Sequence, residues 1–121
     1  MDRLLREFID FRATRKDLRA EYGDDLLNAV PKVDIGLVTT ADVVIALQKF
    51  IGKDITQDVL LDWVNTLMFC DTIFEYVDGQ DDSISSVMTE LETLDEDGVS
   101  YTDDDYDRMI AALEINTEFT T

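Results

Sequence analysis

The sequence predicts an all-α fold, an irregular bundle of five to six helices in a single domain. Three observations predict it. Apolar residues recur at helical spacing along most of the chain, Thr and Asp caps stand just ahead of those runs, and alternating apolar–polar stretches that would mark strands are almost absent. At 121 residues the chain is the size of one domain. A domain of this length buries roughly two-thirds of the surface its unfolded form exposes, so its core needs no covalent staple.

Leu4, Leu5, Phe8, Ile9 and Phe11 form the apolar stripe of a first helix over about residues 2–13. Thr14-Arg15-Lys16-Asp17 reads as a capping box that starts a short second helix, closed by Gly23. Asp24 or Asp25 caps one more turn through Leu26, Leu27 and Val30, and Pro31 breaks it. Val33 to Leu37 reads as a connector, because a lone strand there would have nothing to pair with. Thr39 to Asp42 caps a helix carrying Val43, Val44, Leu47, Phe50 and Ile51, with Gly52 placed for a left-handed end. Thr56 caps a long central helix over about residues 57–76, whose apolar residues (Val59, Leu60, Trp63, Val64, Leu67, Met68, Ile73, Phe74) wrap most of its circumference.

Residues 78–82 read as a turn, and Asp82 or Ser83 caps the next helix, with Ile84, Val87, Met88, Leu91 and Leu94 on one face. Residues 95–98 form a second turn. Thr102 to Asp105 is a capping box with acids at the positive end of a last helix dipole, and Tyr106, Met109, Ile110 and Leu113 face the core. The domain is expected to span residues 1–114, with residues 115–121 a flexible, frayed tail.

The chemistry of the side chains argues against catalysis. The chain has no histidine, which removes Ser-His-Asp and Cys-His arrangements and the usual zinc sites. The single cysteine, Cys70, lies on the apolar helix and reads as a buried structural thiol, and without a second cysteine there is no internal disulfide. Gly52-Lys53-Asp54-Ile55-Thr56 lacks the upstream glycine and the strand of a phosphate loop, and two helix ends account for it. If Gly98 is the sixth residue of a calcium loop, Thr93 and Asp104 fall at the first and twelfth positions, which does not match an EF-hand. No catalytic residue, metal site or cofactor is expected.

Charge is the dominant functional signal. The formal net charge is −18 and its distribution is uneven. Residues 1–20 carry six basic side chains against four acids, whereas residues 71–121 carry sixteen acids and one base, Arg108. Such a surface is repelled by nucleic-acid phosphates and anionic membranes and attracts basic proteins or cations. The basic side chains near the start are expected to pair with the acidic half or remain solvated. The start of the chain carries charges where a secretory signal needs an apolar run, and no stretch is long and apolar enough to span a bilayer, so a cytoplasmic location is expected.

Phe50-Ile51-Gly52-Lys53-Asp54-Ile55-Thr56, then Trp63, Leu67 and Asp71-Thr72-Ile73-Phe74-Glu75, form a pattern that resembles small acidic helical bacterial proteins. Gly98 and Thr102 ahead of a final amphipathic helix extend the likeness, which covers about residues 40–113. Those proteins resemble the immunity partners of bacterial toxins, including the contact-dependent growth inhibition type. The resemblance implies a cytoplasmic protein that binds one cognate toxin domain, often a nuclease, and blocks its active site. From the charge reading, Asp78, Asp81, Asp82, Asp95, Glu96, Asp97, Asp103, Asp104 and Asp105 are expected to steer a basic partner, with Tyr76 and Tyr101 as anchors. Two other functions fit the same charges: a DNA mimic that acts against a host DNA-binding protein, and a divalent-cation-responsive module built on the two acidic turns.

Overall fold

The structure, a computed structural model, describes residues 2–120. The described residues form six α-helices and two three-residue strands in the order α1 (Arg3–Ile9), α2 (Arg15–Tyr22), β1 (Gly36–Val38), α3 (Thr40–Ile51), α4 (Gln57–Phe69), β2 (Phe74–Tyr76), α5 (Asp81–Leu91) and α6 (Asp103–Glu114). Single 3₁₀ turns cover Leu26–Asn28 and Glu92–Asp95. The fold is all-α, with a small sheet inserted.

Local hydrogen bonding explains the helix starts. Full capping boxes form at Thr14 with Asp17, Thr39 with Asp42 and Thr102 with Asp105, and Thr56 accepts from the Val59 amide ahead of α4. The carboxylate of Asp2 accepts from the Leu4 and Leu5 amides and so caps α1. α5 departs from expectation. Its N-cap position is Gln80, which makes no side-chain cap. Instead Gln80 Oε1 accepts from the Thr40 amide, satisfying the start of α3, while the Ser83 hydroxyl donates back to the Gln80 carbonyl or on to Asn116.

The helix ends hold the larger differences. α1, α3 and α6 each stop in a paired hydrogen-bond pattern that needs a left-handed residue, and that residue is Phe11, Lys53 or Asn116. At α3, Gly52 stays right-handed at φ −76° and Lys53 takes φ 64°, one residue later than expected. The long helix expected over 57–76 ends at Phe69. The Thr66 hydroxyl bonds back to the Asp62 carbonyl, Cys70 leaves helical geometry, and both Ile73 and Phe74 amides return to the Cys70 carbonyl. Phe74-Glu75-Tyr76 then runs as a strand, with Phe74 buried and Glu75 exposed.

That strand supplies the partner that the connector was expected to lack. β1 and β2 pair in parallel, Gly36 opposite Phe74, Leu37 opposite Glu75 and Val38 opposite Tyr76. α3 and α4 form the long crossover that parallel strands require. Gly36 is fixed by the pairing: a Cβ there would lie 2.8 Å from Phe74 Cδ1 and 3.1 Å from Leu5 Cβ.

The core lies between the helices, all six of which contribute buried residues, and the sheet joins it mainly through α1 and α4. Trp63 is 2% exposed, its indole N–H donates to the Ile9 carbonyl at 3.2 Å, and its ring stacks on Phe11. α3 packs most extensively on α6, where Phe50 meets Tyr106 edge to face at 5.6 Å. Cys70 is buried, and burial raises its thiol pKa despite the nearby Arg15 and Arg19.

The segment after α6, expected as a frayed tail, lies against α5 and α6. Asn116 Nδ2 donates to the Gly79 carbonyl, the Phe119 amide donates to Ser86 Oγ, and Phe119 is only 8% exposed beneath the Arg108 guanidinium. In the basic segment Arg12, Lys16 and Arg19 stay exposed, as one of the two expectations had it, but the pairs that do form are not with the acidic half. Arg3 pairs with Glu7, Arg6 with Asp10 and Asp42, and Arg15 with Asp62. These partners all precede residue 71, so none of these pairs reaches the acidic half.

Candidate functional site

Parallel pairing at the end of α4 opens a groove of about 490 Å³ alongside β2. Leu67 and Met68 come from the last turn of α4, and Phe74, Glu75 and Tyr76 are β2 itself. Asp71 stands at one end, Asp78 and Asp81 at the other, and Ile35 and Ser85 complete the wall. The sequence folds this way because helix α4 stops at a buried Cys70, and the Asp78-Gly79 turn then reverses the chain into α5. Gly79 at φ 83° supplies the left-handed residue of that turn, closed by the Gln80 amide on the Val77 carbonyl.

The electrostatics of the groove are one-sided. Four carboxylates line it, no basic side chain does, and none of the four carboxylates has an ion-pair partner among the described residues. Tyr76 is half-buried, and its phenol pKa is pushed up to about 12, first by burial and then by the Glu92 carboxylate. It therefore stays neutral in physiological solution and offers an aromatic face with an O–H donor. Glu75 shares the outward face of the sheet with Leu37, which lies outside the groove, and Leu27 and Phe69 are further exposed apolar residues outside it. The Thr72 hydroxyl donates to the Leu27 carbonyl and joins the Asp71 end of the groove to that apolar segment.

Of the residues predicted from sequence, Tyr76, Asp78 and Asp81 come together here. Asp82 faces away, into a shallow depression shared with Glu90, Glu118 and Phe119. Asp95, which ends the second 3₁₀ segment, and Glu96 and Asp97 on the turn after it are exposed and line none of the grooves described. Tyr101 and Asp103 border a second groove of about 500 Å³, floored by Phe50, Ile55 and Tyr106. Tyr101 is less free than an anchor requires, since its hydroxyl donates to Glu90 Oε2 at 2.7 Å and packs its ring against Tyr106. Asp104 is exposed at the start of α6. Asp105 is committed to the fold: its carboxylate accepts from the Thr102 amide and hydroxyl, which hold its pKa below the usual carboxylate value, and it also faces Arg108.

Sequence reasoning missed Ile35, Asp71, Glu75 and Ser85 as groove residues, and read Leu67, Met68 and Phe74 only as apolar positions of the long helix. The available signal was the alternation Phe74-Glu75-Tyr76, an apolar–acidic–aromatic pattern of strand period placed at the expected end of a helix. No group of three or more His, Cys, Asp or Glu side chains among the described residues is disposed to hold a metal ion. No helix among them is long and apolar enough to cross a membrane. Comparison of the chain with protein-family models, with curated proteins and with solved structures found no match.

Proposed function

We propose that this protein is a non-catalytic binding module that covers the basic surface of a partner protein, in the manner of an immunity protein that neutralises a nuclease-like toxin domain. The observation that carries the reading is the unneutralised acidic groove along β2, set within a half of the chain whose net charge is −15. The basic side chains that could neutralise it are engaged elsewhere or lie outside it. A nuclease is basic where it holds phosphates. An acidic surface of matched shape steers to that site, and the exposed Leu37 and Phe69 beside the carboxylates supply area that loses water on contact. Absence of histidine and of a nucleophile–base pair supports binding over catalysis.

The test is capture of partners from host lysate by the whole protein and by the triple variant Asp71→Asn/Asp78→Asn/Asp81→Asn, at low and moderate salt. The expected result is one stoichiometric basic protein that is held by the parent, released as salt rises, and captured at least about tenfold less by the variant. If that protein is a nuclease, its activity falls when the parent is added. Equal capture by parent and variant would show that another surface binds. A captured DNA-binding protein without nuclease activity would favour DNA mimicry.

A further inference from the structure

The groove has a second property, which side-chain charge alone does not supply. In the parallel register of the sheet, the Gly36 amide donates to the Ile73 carbonyl and the Val77 amide donates to the Val38 carbonyl. Residues 73, 75 and 77 therefore direct their backbone groups at β1, and residues 74 and 76 direct theirs away from it. The Phe74 amide is satisfied by the Cys70 carbonyl. The Tyr76 amide and carbonyl have no hydrogen-bond partner among the described residues and belong to a half-buried residue, whereas the Phe74 carbonyl is enclosed with its residue at 1% exposure. This unpaired edge borders the acidic groove, whose lining includes all three β2 residues.

We propose that the edge of β2 binds an extended basic segment of the partner, which adds as a third strand. This rests on the reading of the protein as a binder of a basic partner, and it names the site and the form of the bound segment. A strand laid beside β2 pairs with the Tyr76 amide and carbonyl, and its side chains then alternate in step with those of β2. Residues opposite Phe74 and Tyr76 lie on the inner face near Leu67 and Met68, which suits Val or Ile. The residue opposite Glu75 lies on the outer face, which suits Lys or Arg. Asp71 at one end and Asp78 and Asp81 at the other favour basic residues in the flanks. The preferred segment is therefore basic with an apolar residue at every second position. Exposed strand edges are commonly blocked by Lys or Pro, and β2 carries neither.

The probe is a capped alternating Lys-Val peptide of roughly ten residues, the upper length of a common strand, added to the isotopically labelled whole protein. Amide shifts on residues 71–81 report binding, and hydrogen exchange at the Tyr76 amide reports strand pairing. At a free peptide concentration about ten times the dissociation constant, exchange at Tyr76 slows by about tenfold, because it proceeds only from the unbound form. One of two N-methylated peptides, blocked at the valines or at the lysines, binds at least about tenfold more weakly, according to the direction of the added strand. Glu75→Lys weakens the parent peptide by a similar factor. Shifts on the groove carboxylates with unchanged Tyr76 exchange would overturn strand addition and leave the acidic-surface reading standing. No shift at millimolar peptide would also overturn it. The fate of the broader reading is decided separately, by the lysate capture.

Discussion

At Gly36 the absence of a side chain is a packing requirement. Backbone torsions there are ordinary, yet a methyl group would press on Phe74, which is held fast in the core against Phe8 at 5.6 Å. Gly36→Ala is expected to cost about 2 kcal/mol, in the usual range for overpacking, measured by urea unfolding. Phe74→Leu in the same chain should recover part of the loss, and an unaltered midpoint for Gly36→Ala alone would mean that β1 shifts freely. The tyrosines make a second residue-scale prediction. Burial, aided by the Asp2 carboxylate that accepts its O–H, pushes Tyr22 up to about 12, and Tyr76 reaches the same value. Burial also raises Tyr101 and Tyr106. A phenol whose folded pKa is raised contributes stability that is complete below its unfolded pKa of about 10 and is lost as pH climbs through the folded value. Tyrosinate absorbance of the native protein should therefore lag that of the denatured chain between pH 10 and pH 12, and stability should fall over the same interval. Coincident titration curves for native and denatured protein would refute this.

Most helices in this chain begin where sequence says, α5 excepted, and most of their ends, unlike that of α2 at Gly23, fall elsewhere. Starts are written by Thr and Asp side chains that reach amides three residues on, a contact that needs no tertiary help. Ends depend on a left-handed residue, and here α1, α3 and α6 place Phe, Lys and Asn in it. Phe11 accepts that geometry because its ring stacks on Trp63, a contact between residues far apart in sequence. Lys53 has no comparable compensation and is exposed. Lys53→Gly should accordingly stabilise the fold by up to about 1 kcal/mol, read as a higher urea midpoint with unchanged slope. A lower midpoint would mean that the lysine side chain, which borders the second groove, makes a contact worth more than the backbone relief. Tertiary context also decides how α1 is fixed. The Asp42 carboxylate both completes the α3 capping box and accepts from Arg6, so one side chain, 9% exposed, starts one helix and ties down another.

Across the whole molecule the charges are segregated, and this sets how stability responds to salt. Ion pairs cluster in the first half, while residues 71–121 carry sixteen acids and a single arginine. Salt weakens both attraction and repulsion between exposed charges, and at a net charge of −18 the repulsion dominates. Raising sodium chloride from about 0.01 M to about 0.15 M cuts the screening length from about 30 Å to about 8 Å, and the thermal midpoint should rise by several degrees. A fall instead would show that the Arg6 and Arg15 pairs outweigh the acidic half. The same segregation leaves the groove along β2 negative.

Sequence by itself determined the helical class, the four Thr caps, the buried Trp63 and Cys70, and the sign and placement of the charge. Each of these is encoded locally, in spacings of three or four residues or in composition. Only the tertiary structure decided the sheet, the docking of the last residues and the gathering of Tyr76, Asp78 and Asp81 with Asp71 and Glu75. The physical reason is separation along the chain. Gly36 meets Phe74 and Phe119 meets Ser86 across more than thirty residues, and three-residue strands carry too little alternation to announce themselves against a helical background. Whether an exposed acid lines an open groove or caps its own helix, as Asp78 and Asp105 divide the roles here, depends on which neighbours the fold brings to it.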